Sequence, residues 1–227
     1  MELEIVYQDR YLIAVNKPHG LLVHRTSIAR DATEFAIQLL KFQIGQQVFP
    51  VHRLDRKTSG VLLFALDKQS NSILQQQFVE NRVKKKYLAI VRGFTEDDGV
   101  IDYPLKKENG LIQDAITNYR TLARAEIEIP GQKHPTSRYS MVELTPKTGR
   151  MHQLRKHFAH IFHPIIGDRP HGCNKQNKLY KEKFNMTTMM LHAAEIRFTH
   201  PINNNPICIK TDLSEEFVRM MDMMGWL

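Results

Sequence analysis

His52-Arg53-Leu54-Asp55-Arg56-Lys57-Thr58-Ser59-Gly60 stands directly before the apolar run Val61 to Leu66. The run reads as a buried strand, and the stretch before it as the loop that feeds that strand. Thr58, Ser59 and Gly60 supply a turn with hydroxyls available for backbone capping. An aspartate held between two arginines should stay ionised at pH 7 and could serve as a nucleophile or a base. Taken alone, R-x-D-R is more often a surface ion pair of Asp55 with Arg53 or Arg56.

Working outward, Glu4 to Tyr7 and Tyr11 to Val15 read as short strands around the turn Gln8-Asp9-Arg10. Asn16-Lys17-Pro18-His19-Gly20 is a loop. Asp31-Ala32-Thr33-Glu34 has the form of a capping box, opening a helix with Phe35, Leu39 and Phe42 on one face and Gly45 at its stop. A helix carrying Leu74 and Phe78 runs to about Asn81. Lys86 to Arg92 alternates as a strand, with Tyr87, Ala89 and Val91 on one side and Leu88 and Ile90 on the other. Asn118 to Ile129 and Arg138 to Leu144 read as strands around the turn Pro130-Gly131-Gln132, and Met151 to Phe162 as a helix. At the C-terminal end, Leu213, Phe217, Met220 and Met224 recur at helical spacing, a stripe that reads as core filler. Strands in consecutive runs predict an α+β fold with a largely antiparallel sheet.

The 227 residues carry 32 Lys and Arg against 24 Asp and Glu, a net charge of +8. The excess is uneven. From Lys147 to Lys183 nine basic residues face only Asp168 and Glu182, and Arg82 to Lys86 is purely basic at its charged positions. Such local fields suit a polyanionic partner or a solvated basic surface. Two cysteines give no disulfide framework, and the start of the chain has no signal-peptide pattern, so the cytoplasm is the expected compartment. The absence of an apolar run of about 20 residues argues against a membrane helix. The phosphate-loop, dinucleotide and common zinc patterns are missing. His157, His160 and His163 recur every three residues, but without acidic or thiol partners at ligand spacing. No metal and no cofactor are expected.

Two further stretches carry chemistry. In Thr145 to His157, helical spacing places Leu154, Phe158 and Ile161 on one face and His152, Arg155 and Lys156 opposite, a basic face at a helix N-terminus. In Lys84-Lys85-Lys86-Tyr87, an aromatic opens a strand after a basic run, and Tyr87 could stack on a base, move a proton or simply fill the core.

Together these stretches form an order. R-L-D-x-x-T-S-G at Arg53 to Gly60 is followed by K-Y-x-A-x-x-x-G at Lys86 to Gly93 and G-R-x-H-Q-L-R-x-H at Gly149 to His157. Six fixed positions at ~5% usage each make the first of these roughly a 10⁻⁸ event per starting position. The order resembles the RluA-type pseudouridine synthases, and Lys17-Pro18-His19-Gly20 resembles that family's K-P-x-G. The resemblance implies a mixed, mostly antiparallel sheet flanked by helices with a central active-site cleft. It implies that Asp55 is the catalytic aspartate, Tyr87 the active-site tyrosine and Arg155 the arginine that pairs with the catalytic carboxylate. Arg53 would help fill the space of a flipped base. Lys17, Arg150, His152, Lys175 and Lys178 are the other residues expected to contact RNA.

Pro135 to Tyr139, Val142 to Arg150, and His171-Gly172 with Asn174 and Gln176-Asn177 resemble the tRNA pseudouridine synthase C branch of that family. This implies a tRNA substrate modified in the T-stem region, at uridine 65. Residues 1–227 are then expected to form a single catalytic domain with no S4 RNA-binding domain, no protein partner and a monomeric state. The rivals are a relative acting on ribosomal RNA and a non-catalytic RNA-binding module.

Overall fold

The computed structural model describes residues 1–25, 33–129 and 135–227. Along the chain run β1 (Glu4–Gln8), β2 (Leu12–Lys17), α1 (Ala36–Ile44), β3 (Phe49–Pro50), β4 (Ser59–Ala65), α2 (Lys68–Val79), β5 (Lys84–Arg92) and β6 (Asp98–Asp102). Then follow β7 (Leu105–Lys106), β8 (Ile112–Gln113), β9 (Ile116–Ile127), β10 (Ser137–Pro146), α3 (Gln153–His160), α4 (Asn174–Phe184), β11 (Leu191–Thr199), β12 (Pro206–Lys210) and α5 (Glu215–Met223). The mixture is α+β, and the pairs β1–β2, β2–β4, β3–β4, β5–β10, β9–β10, β6–β9, β7–β8 and β11–β12 are antiparallel. The chain divides into two compact units, Met1–Lys85 with Ala193–Asp212, and Lys86–His192 with Leu213–Leu227.

In the first unit β2 lies between β1 and β4, β11 lies on the other side of β4, and β12 pairs with β11. Asp9 closes the β1–β2 turn, its carboxylate accepting the backbone N–H of Tyr11 and Leu12. β4 is buried at every position, which is why it reads as an unbroken apolar run rather than an alternating one. Leu12, Ala14, Leu63, Ala65, Ile196 and Phe198 pack on Leu74 and Phe78 of α2. The Asp67 carboxylate accepts the Ser70 N–H and starts that helix. Gln77 ties the unit's two chain segments, donating to Thr199 O and accepting from Thr199 N.

The expected helix after residue 34 is displaced. α1 begins at Ala36 with Phe35 at its N-cap and no side-chain cap. Asp31 and Ala32 of the expected capping box lie outside the described residues. Starting there, Ala36 and Leu40 form the buried face and Phe42 is 91% exposed. Gly45 ends the helix at φ 68° as expected.

In the second unit the sheet order is β5-β10-β9-β6. Helices cover both faces. Ala89, Val91, Val142 and Leu144 pack with Leu154 and Phe158 of α3. Ile90, Tyr139 and Met141 pack with Tyr180 of α4 and Phe217 and Met220 of α5. The β5 alternation therefore sorts as the sequence predicts, and the methionine stripe is core. β9 has the expected length but starts and ends two residues earlier than expected, and it contains a bulge. Val142 pairs with Thr121 while Met141 pairs with Ala123, leaving Leu122 as the extra residue. One extra residue inverts the facing of all that follow, so Tyr119 joins the α3 side while Ala125 and Ile127 join the other. The turn expected at Pro130-Gly131-Gln132 lies outside the described residues. Among those described, no helix is long and apolar enough to cross a membrane.

Candidate active site

Asp55 sits on the loop between β3 and β4. Its carbonyl accepts the Thr58 N–H at 3.0 Å, a tight turn over Arg56 and Lys57. Buried Val51 and Leu54 anchor one side of the loop, buried Thr58 and Ser59 the other, and Asp55 is half-buried between them. Gly60 starts β4 at φ 108°, a conformation that suits glycine, and a Cβ there would stand 2.2 Å from Ala193 O. His52 turns inward. Its Nε2 accepts the Leu63 N–H at 3.1 Å and its ring stacks on Phe78. Burial, aided by the Lys85 charge, pushes its pKa down to about 3, so the imidazole is neutral at pH 7.

The Lys17-to-Gly20 loop clamps the Asp55 loop from the other side. Gly20 N donates to Arg56 O at 2.8 Å, and Arg56 Nε donates back to Gly20 O at 3.0 Å. Lys17 Nζ donates to Pro18 O, Leu21 O and Arg56 O. This corrects the expectation that Lys17 touches RNA. Its side chain is fully buried, and the three ammonium donors face three main-chain carbonyls. Burial lowers its pKa to about 7, against the opposing pull of the Asp55 charge. Arg53 is exposed on the same loop, and its charge adds to the burial that lowers the His24 pKa.

In the second unit Tyr87 lies on β5 opposite Leu144, half-buried on the α3 side of the sheet. Helical spacing sets Arg155 on the polar face of α3, yet its side chain is enclosed. It is buried, with Nε 2.7 Å from Asp168 Oδ2 and one Nη 2.8 Å from Asp168 Oδ1. This two-pronged pair fixes the plane of the guanidinium. Asp168 is itself held, accepting the His171 N–H at 3.3 Å, while its carbonyl accepts Asn177 Nδ2 at 2.7 Å. His152 precedes α3 in the left-handed region, φ 56°, with Nδ1 3.0 Å from His171 Nε2.

Gln153 secures the entry to the helix. Its Oε1 accepts from Arg150 N and Thr148 Oγ1, and its Nε2 donates to Ile116 O and Thr117 Oγ1. Arg150 donates from Nε to Asp114 O. The histidine series has structural uses. His157 Nε2 donates to Tyr103 O and its Nδ1 faces Thr117 Oγ1, His160 stacks on Tyr103, and His163 Nδ1 donates to Arg92 O. No group of His, Cys, Asp and Glu among the described residues could hold a metal ion.

Within the first unit, then, Asp55, Arg53 and Lys17 converge on one loop pair. Within the second, Arg155 and His152 meet through Asp168 and His171, and Arg150 joins them through Gln153. Lys175 and Lys178 are exposed on α4, which Asn177 fastens to the Gly167–Asp168 turn. Sequence reasoning assigned no role to Asp168, Gln153, His171 or Asn177. For Asp168 a signal existed: it is one of only two acids in the basic stretch from Lys147 to Lys183.

A sequence profile of RNA pseudouridylate synthases matches residues 11–160, which include the Asp55 loop, Tyr87 and the Gly149 to His157 segment. The chain belongs to the RNA pseudouridylate synthase family. It is 49% identical to the tRNA pseudouridine synthase C of Vibrio cholerae serotype O1, over 99% of this chain and 96% of that protein. It is 47% identical to the protein of that name from Salmonella typhi, over 99% and 90%. Two solved structures share the fold at a TM-score of 0.75 and 26% identity. Human RNA Pseudouridylate Synthase Domain Containing 1 covers 93% of this chain and is itself covered over 84%. For Human RNA Pseudouridylate Synthase Domain Containing 4 the figures are 98% and 93%. The RluA-type resemblance of the three motifs is borne out. As a pseudouridine synthase this enzyme is an isomerase of RNA uridine.

Proposed function

We propose that this pseudouridine synthase acts on tRNA in the cytoplasm and converts uridine 65, in the T-stem region, to pseudouridine through Asp55. The observation that carries the tRNA reading is the similarity to tRNA pseudouridine synthases C along 99% of the chain. The reaction breaks the N1–C1′ bond, turns the uracil and joins C5 to C1′. N1 gains a proton and C5 loses one, so the atoms balance within one nucleotide.

A stacked base cannot turn, so the nucleotide leaves the helix at a cost of a few kcal/mol. In this reading Arg53 fills the gap and basic residues grip the flanking phosphates. The Asp55 carboxylate then attacks C1′ or C6, or assists departure of the base. Arg155, its plane set by Asp168, is the arginine that this reading assigns to the catalytic carboxylate. Tyr87 packs on the uracil and assists removal of the C5 proton. The doubly clamped Asp55 loop supports this assignment, because a nucleophile gains from being held before substrate arrives.

Two measurements test it. Pseudouridine is mapped in tRNA and ribosomal RNA from cells with and without the protein, and loss of the modification from ribosomal RNA alone would overturn the tRNA reading. Asp55→Asn should abolish single-turnover tritium release while RNA binding changes by less than about threefold. Residual activity within tenfold of the parent would remove Asp55 from the chemistry.

A further inference from the structure

A cleft of about 550 Å³ lies beside the β7–β8 hairpin and contains Arg150, a residue already expected at RNA. A second cleft, of about 530 Å³, includes Lys178, also expected at RNA, while its other lining residues have no assigned use. One wall is a face of α4, where Asn174, Asn177, Lys178 and Lys181 follow the i, i+3, i+4, i+7 spacing that aligns side chains along a helix. The others are Gly167 with Arg169, and the Met186–Thr188 segment.

Three features make this a built site rather than a stretch of basic surface. The first is charge: Arg169, Lys178 and Lys181 line the cleft, and none of its lining residues is acidic. The Lys178–Glu182 pair is exposed and long at 3.7 Å, a weak competitor, and the Glu216 carboxylate is engaged by the Thr187 N–H at 2.7 Å. The second is rigidity. A Cβ on Gly167 would stand 2.1 Å from Thr188 O, so the turn and the Thr188 backbone are in close contact, and Asn177 bridges Gly167 N and Asp168 O. The third is an unmet hydrogen bond. Thr188 Oγ1 is buried and makes no hydrogen bond among the described residues, a cost of about 1–3 kcal/mol unless a ligand meets it.

We propose that this cleft binds backbone phosphate of the RNA substrate outside the reacting nucleotide. Arg169, Lys178 and Lys181 supply the charge, and the Thr188 hydroxyl donates to a phosphate oxygen. A guanidinium, two ammoniums and a hydroxyl are donors, and phosphate oxygens are acceptors. The site rests on the reading that tRNA is the substrate. Its position gives it reach into the chemistry, because the turn forming its wall also carries Asp168, which holds Arg155.

The test is tRNA binding by the intact protein across a range of salt. Arg169→Gln with Lys181→Gln should raise Kd about tenfold at 0.1 M salt. It should flatten the slope of log K against log salt by about one to two, at ~0.7–0.9 per phosphate contact. Lys41→Gln with Lys68→Gln removes the same charge from exposed positions on α1 and α2 and should leave the slope within about 0.3. Thr188→Val should raise Kd about threefold without lowering the urea midpoint, whereas a hydroxyl with only a packing role would leave Kd unchanged. An unchanged slope in the first variant, or equal flattening in the control, overturns the site. If the parent makes no pseudouridine in tRNA yet the slopes still differ, the tRNA reading fails and the phosphate site stands.

Discussion

Arg155 and Asp168, thirteen residues apart, form a buried two-pronged pair with N–O distances of 2.7 and 2.8 Å. Two charges are taken from water there, so the pair's worth lies in fixing a geometry as much as in stability. Removing one partner leaves the other charge buried and uncompensated. Asp168→Asn should lower unfolding stability by about 3–5 kcal/mol, read by urea titration. In folded protein it should cut the single-turnover rate about 100-fold or more while Kd for tRNA stays within about threefold. A rate within threefold of the parent would show that Arg155 does not depend on this partner.

Lys17 gives the opposite expectation to a phosphate contact. Lys17→Met keeps the bulk and leaves three carbonyls without their donor. Stability should fall by about 3 kcal/mol, and the salt slope of RNA binding should not change. A slope flattened by about one unit would return Lys17 to the RNA surface.

Gly60→Ala should be among the most damaging small substitutions in the first unit. It combines a positive φ with a methyl group 2.2 Å from Ala193 O. Strain and overpacking together should cost about 3 kcal/mol or more, a fall of roughly 6–12 °C in melting temperature. A fall under 2 °C would mean that the β4 start yields easily.

His52 predicts a pH dependence. Its pKa is about 3 in the folded protein and near 6.5 once unfolded. Between those values the unfolded chain binds a proton that the native state does not. Stability is therefore intact above pH 6.5 and is lost as pH falls toward 3. Between pH 7 and pH 5 this group should account for about 1–2 kcal/mol. His52→Gln should lose that much less than the parent over the same interval in urea titrations, and equal losses would refute the assignment.

Local regularity made much of this molecule legible. The β5 alternation, the buried β4 run, the Gly45 stop and the α5 stripe all follow from periods of two or 3.6 residues, which the sequence displays directly. The departures have a common cause in long-range partners. Arg155 falls on the polar side of α3 by spacing, and its burial is matched by Asp168, thirteen residues further on. Lys17 reads as a loop cation because the carbonyl of Arg56, 39 residues away, is invisible to any window. Phe42 falls off the buried face because the helix starts at Ala36, with Phe35 at its N-cap rather than in its first turn. At the candidate site, motif order singles out Asp55, Tyr87 and Arg155 as candidates, but Gln153, which secures the entry to α3, and Asn177, which holds the Asp168 turn, belong to no periodic pattern.

The first unit is assembled from both ends of a long stretch of chain, and this constrains its birth. Gln77 meets Thr199 across 122 residues. At a synthesis rate of ~5–20 residues per second, Thr199 is made roughly 6–25 s after Gln77. Until then β4 has no β11 beside it, and the platform under Asp55 is an open sheet edge. The last motif ends at His157, so for the roughly 2–8 s in which residues 158–199 are made a nascent chain carries every motif of the candidate site with an unpaired β4 edge exposed to other unpaired strands.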